Sequence, residues 1–272
     1  MRMAYGGVWR ATRTPEGTAT IRFAIRGSEL QVTAWGPGAE WALETAPSVA
    51  GLVDDPSALR TDHPVVRELA RRLRGLRLPR TLAVVEALIP AIAEQKVTGR
   101  EAHRALRRLI QTYGEPAPGP GGAIGMRILP EPGVLARLPY YAFHPLGFEK
   151  RRADTIRIAA GDAARLEATS ELPPAEGQAR LRALPGVGSW TAAEVAARAW
   201  GDPDAVSVGD FHLPHVVSWA FTGERRGTDE RMLELLEPFR GQRGRVVRLL
   251  EAAGVGPPRR GPRYGGRSID GI

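Results

Sequence analysis

Residues 184–190 read Leu184-Pro185-Gly186-Val187-Gly188-Ser189-Trp190, and they constrain this chain more than any other stretch. Pro-Gly-Val-Gly is a tight turn, and it hands directly into an apolar helical run over 191–200. Glycines on both sides of Val187 leave backbone N–H groups uncovered where that helix begins. Such a site suits an anion, and the helix dipole adds to it. Nothing in the turn supplies a nucleophile or reads a base sequence. The ligand that fits is a phosphate. Asp210, 20 residues after Trp190, puts a carboxylate in position to act on whatever carries that phosphate.

Plainer readings exist for each part. Glycines are common in ordinary helix–helix turns. An aspartate ahead of a helix is most often an N-cap, and Pro214 fits the first turn of a helix beginning there. Cap and catalyst are compatible, because a cap position holds a carboxylate rigidly at a helix mouth. Trp190 beside the turn also reads as a packing aromatic. His212 and His215 are three apart, yet without a third nearby ligand they read as polar or phosphate-facing residues.

Composition narrows the partners. Lys+Arg number 38 against 30 Asp+Glu, which gives a net charge of +8. That balance favours polyanions, nucleic acid before a membrane surface. Only Lys96 and Lys150 are lysines, so the basicity is almost entirely arginine. The absence of cysteine excludes disulfides, thiolate zinc sites and iron–sulfur clusters. There is no run of 18 apolar residues and no apolar leader at the start, so a cytoplasmic, nucleoid-associated protein is expected. No GxSxG motif or P-loop supports a small-molecule hydrolase.

The chain divides into an α+β arrangement. Over 1–66, Ile21, Phe23 and Ile25 alternate with polar residues, Gly27-Ser28 offers a turn, and Leu30, Val32 and Ala34 alternate again. This predicts a hairpin in a small antiparallel sheet domain, with a short helix over 39–46. Over 67–256 the apolar spacing is helical, with helices expected at 152–168, 175–183, 191–200, 211–221, 228–237 and 241–253. Residues 114–125, rich in Pro and Gly, read as a loop. Residues 257–272 read as a basic, disordered tail.

With these residues in view, the chain resembles the helix-hairpin-helix DNA glycosylases, specifically the 3-methyladenine DNA glycosylase II (AlkA-like) branch. The resemblance covers nearly the whole chain. It is carried by residues 184–190, by Val206-Ser207-Val208-Gly209-Asp210, and by Gly75-Leu76-Arg77-Leu78-Pro79 with Glu94-Gln95-Lys96-Val97-Thr98. Pro238-Phe239-Arg240 matches a short motif near the C-terminus of the branch.

The resemblance implies a monofunctional enzyme on double-stranded DNA, working as a monomer. It would flip out an alkylated purine and hydrolyse the N-glycosidic bond, leaving an abasic site. Asp210 falls on the catalytic aspartate. Trp190 stands where lyase members carry a Schiff-base lysine; an aromatic cannot form an imine but can stack on a flipped base. Gly186, Gly188, Ser189 and Thr191, with Lys96 and Arg240, form the implied DNA-contacting set. The carbonyls of Arg182, Leu184 and Val187 match positions that hold a monovalent cation, Na+ or K+, and no other cofactor is implied. Gln95 matches a residue near the base pocket and the minor groove.

Three positions depart from the family pattern. Lys96 replaces an apolar wedge. Glu194 replaces an aromatic one helical turn after Trp190, and Arg248 replaces a pocket aromatic near the C-terminus. The implied base pocket, Trp190, Glu194, Gln95 and Arg248, is thus more charged than usual, and Arg248 repels a cationic base. A non-catalytic or weakly active DNA-binding protein is the competing reading. Asp210 argues against it, since a pure binder needs no carboxylate facing DNA.

Overall fold

The computed structural model describes residues 1–258, so the tail expected over 257–272 lies almost wholly outside the described residues. Four strands, β1 (Arg2–Ala4), β2 (Gly7–Thr14), β3 (Gly17–Arg26) and β4 (Glu29–Trp35), form an antiparallel meander in the order β1-β2-β3-β4. The expected hairpin is β3–β4, closed by Gly27-Ser28 between the paired Arg26 and Glu29. β1 and β2 were not legible. Arg10, Thr12 and Thr14 are buried in β2, so apolar and polar positions do not separate by face. Tyr5 and Gly6 both take positive φ, 48° and 67°, which suits the tight turn between paired Ala4 and Gly7. Helices α1 (Ala39–Glu44) and α2 (Ala46–Val49) complete a small core around Ala19, Ile21 and Phe23.

The rest is helical, and it holds two further cores. The chain first crosses the second of these as α3 (Pro64–Arg72). It then runs through α4 (Val84–Ala93), α5 (Gly99–Tyr113), α6 (Pro120–Ala123), α7 (Pro132–Arg137), α8 (Tyr140–Phe143), α9 (Lys150–Gly161), α10 (Ala163–Glu167), α11 (Pro174–Arg182) and α12 (Ser189–Val195), all of which except α6 contribute to the larger core. Of the short helices in that run, α7, α8 and α10 bury Leu135, Phe143 and Leu166 in this core. The buried aliphatic residues of α4, from Val84 to Ala93, are central to this core. The chain returns to the second core with α13 (Leu213–Thr222), α14 (Asp229–Leu236) and α15 (Arg243–Ala252), which bury Val217, Met232, Leu236 and Leu250 against Val66 and Leu69.

The expected helices form with shifted ends. The stretch 152–168 breaks at Asp162 into α9 and α10. α12 starts at Ser189 and passes into a π-helical turn over Ala196–Trp200. α13 starts at Leu213, because the Asp210 side chain holds the chain ahead of it. The 114–125 segment is not all loop: β5 (Glu115–Pro116) and β6 (Arg127–Ile128) pair across it. That segment fastens the helical body to the sheet, through an Arg13–Glu115 ion pair and Thr20 Oγ1 donating to the Pro118 carbonyl at 2.8 Å. Arg10 pairs with Glu86 of α4 at 3.0 Å, a second fastening.

Candidate functional site

The hairpin of α11 and α12 is anchored from below. Leu184 and Val187 are buried in the larger core, and Leu184 O accepts the Val187 N–H at 3.1 Å. Gly186 has φ +89°, and a Cβ there would lie 2.1 Å from Thr155 Oγ1 on α9. Only glycine satisfies both the left-handed backbone and that approach. Gly188 is extended, exposed and has open space at its Cβ position. Among the described residues, no acceptor engages the N–H groups of Gly186, Gly188 or Ser189. The turn therefore presents donors to solvent at a helix mouth, which is what binding an anion requires.

A second segment is tied to the turn. Gln95 Nε2 donates to Gly186 O at 3.0 Å and to Thr191 Oγ1 at 2.9 Å. Both amide hydrogens of Gln95, and the Thr191 hydroxyl, are thereby engaged in holding the hairpin. Buried Arg152 donates to the Ala93 carbonyl at 2.8 Å and fixes the end of α4 just before Gln95. The next residue, Lys96, is exposed and left-handed, φ +54°, at the tip of the α4–α5 loop. Thr98 closes the loop with a capping box to Glu101.

Asp210 stands across from Trp190. Its Oδ1 accepts the N–H groups of His212 at 2.7 Å and Leu213 at 2.8 Å, and its Oδ2 accepts Trp190 Nε1–H at 3.1 Å. Trp190 belongs to α12 of the larger core and Asp210 leads into α13 of the smaller one. The indole–carboxylate bond thus spans the seam between the two helical cores. The three donors together fix the direction of the carboxylate.

Trp190, Glu194 and Arg198 follow at i, i+4 and i+8 along one face of α12 and its π turn. Glu194 accepts the Ser207 hydroxyl at 2.5 Å and Arg198 Nη2–H at 2.8 Å, and Arg198 also reaches Glu94 at 3.4 Å. Arg198 then lines a cleft of about 690 Å³ with Arg77, Glu86 and Arg248. Arg248 sits on α15 and pairs with Glu251 at 2.8 Å, at the far end of this charged line from Asp210. Arg240 pairs with Glu237 on the outer surface, and among the described residues no hydrogen bond joins it to the hairpin or to Asp210.

Three contributors were not singled out from the sequence: Arg198, Ser207 and Thr155. Arg198 was findable by its i+4 spacing from Glu194; the other two meet the site only through tertiary contact. His215 Nδ1 accepts the Gly227 N–H at 3.1 Å, a structural task in line with its plainer reading. Among the described residues no cluster of His, Cys, Asp or Glu could hold a metal ion, and no helix is long and apolar enough to cross a membrane.

Residues 89–240, from α4 through the hairpin and Asp210 to Arg240, match the HhH-GPD superfamily base excision DNA repair protein. The chain belongs to this superfamily. Its sequence is similar to the probable bifunctional transcriptional activator/DNA repair enzyme AlkA of Mycobacterium tuberculosis, at 32% identity over 151 residues, 55% of this chain. The chain spans only 30% of that relative's length. In fold it is similar to the 3-methyladenine DNA glycosylase of Archaeoglobus fulgidus, with a TM-score of 0.73 at 19% identity over 91% of this chain and 86% of the other. It is also similar to the 8-oxoguanine glycosylase/lyase of Clostridium acetobutylicum in complex with double-stranded DNA, with a TM-score of 0.67 at 15% identity over 89% and 85% of the two chains. The small antiparallel sheet followed by a helical body is an arrangement that this chain shares in fold with the Archaeoglobus enzyme.

Proposed function

We propose that this HhH-GPD protein is a base-excision glycosylase that flips an alkylated purine out of duplex DNA and hydrolyses its N-glycosidic bond. The observation that carries the proposal is Asp210: a carboxylate held by three N–H donors at the seam of two cores, just ahead of α13 and bonded to Trp190 of the helix that follows the exposed hairpin turn. The C1′–N bond breaks with its electron pair leaving on the base, and the cationic alkylated base departs neutral. Asp210 stabilises the oxocarbenium-like sugar, directs water to C1′ and receives a proton from it. The hairpin N–H groups hold a phosphate of the same strand. Trp190, already oriented by its bond to Asp210, stacks on the flipped base.

The product of this chemistry is an intact abasic site. A lyase needs an amine on the sugar, and the hairpin helix offers Trp190 where that lysine would stand. The DNA complex of the Clostridium neighbour supports duplex DNA as the partner. The carbonyls of Arg182, Leu184 and Val187 suit a monovalent cation. Leu184 O keeps a second lone pair beyond its bond to Val187 N–H, and such an ion offsets phosphate charge at the turn.

The test is incubation of the purified protein with duplexes carrying single defined lesions, scoring abasic sites by alkaline cleavage. Release of an alkylated purine by the wild type, and a loss of about 100-fold or more in Asp210→Asn, is the expected result. Wild-type inactivity on every lesion would overturn the glycosylase reading.

A further inference from the structure

The surplus of positive charge has a location that the site does not use. On α5, Arg100, Arg104 and Arg107 recur at i, i+4 and i+7 and all three are exposed, while Ala102, Ala105 and Leu109 bury the opposite face. Among the described residues, the ion pairs are made by other arginines and Lys150, such as Arg71 with Glu68 and Arg157 with Asp154, and not by these three. The single acid of α5, Glu101, is turned back to the cap, where its Oε2 accepts both the Thr98 N–H and hydroxyl at 2.8 Å. The stripe covers about 10 Å at 1.5 Å per residue. That is the length of about three phosphates of one strand at 3.4 Å of duplex axis each.

Its position is as telling as its charge. The Lys96 loop joins the stripe to the hairpin. On one side Gln95 holds the turn through Gly186 O and Thr191 Oγ1; on the other Thr98 starts α5. Thr155, which packs against Gly186, lies on α9 one helical turn after the exposed Arg151.

We propose that the Arg100–Arg104–Arg107 face of α5 is a second phosphate-binding surface, for the strand paired to the one the hairpin holds. The proposal rests on the DNA reading above and adds to it a preference for intact duplex over the lesion strand alone. Guanidinium contacts to phosphate carry no sequence information, so the gain is uniform across sequences. It is also steeply salt-dependent, because each neutralised phosphate releases counterions.

The experiment is a salt titration of binding by the full chain, to a lesion-bearing duplex and to its lesion strand alone. The proteins compared are the wild type, the triple Arg100→Gln/Arg104→Gln/Arg107→Gln variant and the corresponding triple Lys variant. For duplex, the slope of log Kd against log salt should shrink by about 2 to 3 in the Gln variant, at about 0.9 per phosphate contact. For the single strand it should shrink by less than one. The Lys variant should recover most of the duplex slope, which shows that charge and not folding was lost. An unchanged duplex slope, or equal loss on both substrates, overturns the proposal. Failure of the wild type to bind duplex at all would instead overturn the DNA reading on which it stands.

Discussion

Asp210 carries two tasks with two oxygens. Oδ1 takes the backbone N–H groups ahead of α13, and Oδ2 takes the Trp190 indole. Substitutions separate the tasks. Asparagine keeps a carbonyl oxygen for the cap but removes the negative charge; alanine removes both. Asp210→Asn should melt within a degree or two of wild type, while Asp210→Ala loses about 1 kcal/mol of stability, the usual worth of such a cap. Both should lose excision and keep DNA affinity, which a filter-binding assay on lesion duplex would register. An Asn variant as active as wild type would leave Asp210 as a cap alone. Trp190 supports a second prediction. With no amine at that position, borohydride should trap no covalent protein–DNA adduct on lesion duplex, and the strand should stay uncut until alkali is added. An adduct would point to Lys96, the only lysine in the loop bound to the hairpin.

At the scale of the element, the hairpin turn contains two glycines with opposite reasons. Gly186 faces inward, against Thr155 Oγ1, with a left-handed backbone; Gly188 faces outward into open space. Gly186→Ala should therefore destabilise the fold by about 2 kcal/mol or more, from the φ penalty plus the clash. Gly188→Asp should leave thermal stability near wild type but weaken binding to every duplex, damaged or not, because it puts a carboxylate where a phosphate sits. Paired melting and binding curves separate the two. A Gly188→Asp protein that binds normally would remove the turn from the DNA surface.

Across the whole molecule, the parts are joined by buried polar contacts rather than by one continuous apolar core. Asp54 and Arg245 form a bidentate pair at 2.5 and 2.9 Å, with side chains only 7% and 4% exposed, and Asp54 also accepts the Leu78 N–H at 3.0 Å. This ties the segment after the N-terminal helices to α15. Burial works against the Asp54 charge, but Arg245 and the Leu78 N–H outweigh it and hold the carboxyl below its ordinary 3.8. Asp204 is held low in the same sense: its bonds to Arg243 and the Gly241 N–H outweigh burial. Because both folded values lie below the unfolded ones, the stability these pairs contribute is present above about pH 4 and is lost as pH falls through the folded values. Asp54→Asn should cost about 3 to 5 kcal/mol at neutral pH, since it leaves the Arg245 charge buried without its counter-ion. It should also flatten the acid limb of the stability curve. Denaturant melts between pH 3 and 7 would show this, and an acid limb as steep as wild type would remove Asp54 from the acid response.

The sequence by itself determined the elements whose signal is local. Alternation in 20–34 fixed the β3–β4 hairpin, 3–4 spacing fixed the helices of the body, and Pro-Gly-Val-Gly with its flanking helices fixed the hairpin. These signals are local because backbone sterics and periodic burial act over a few residues. β1 and β2 escaped because their buried positions are polar, and Arg10 and Thr12 became legible only as partners of Glu86. The same holds at the site. Tertiary structure alone decided that Gln95 reaches the hairpin turn from 91 residues away, that Trp190 bonds Asp210 across two cores, and that Arg198 and Arg248 meet in one cleft. A buried polar group must find a partner, but its sequence does not say which, because the partner is brought in by packing rather than by spacing along the chain.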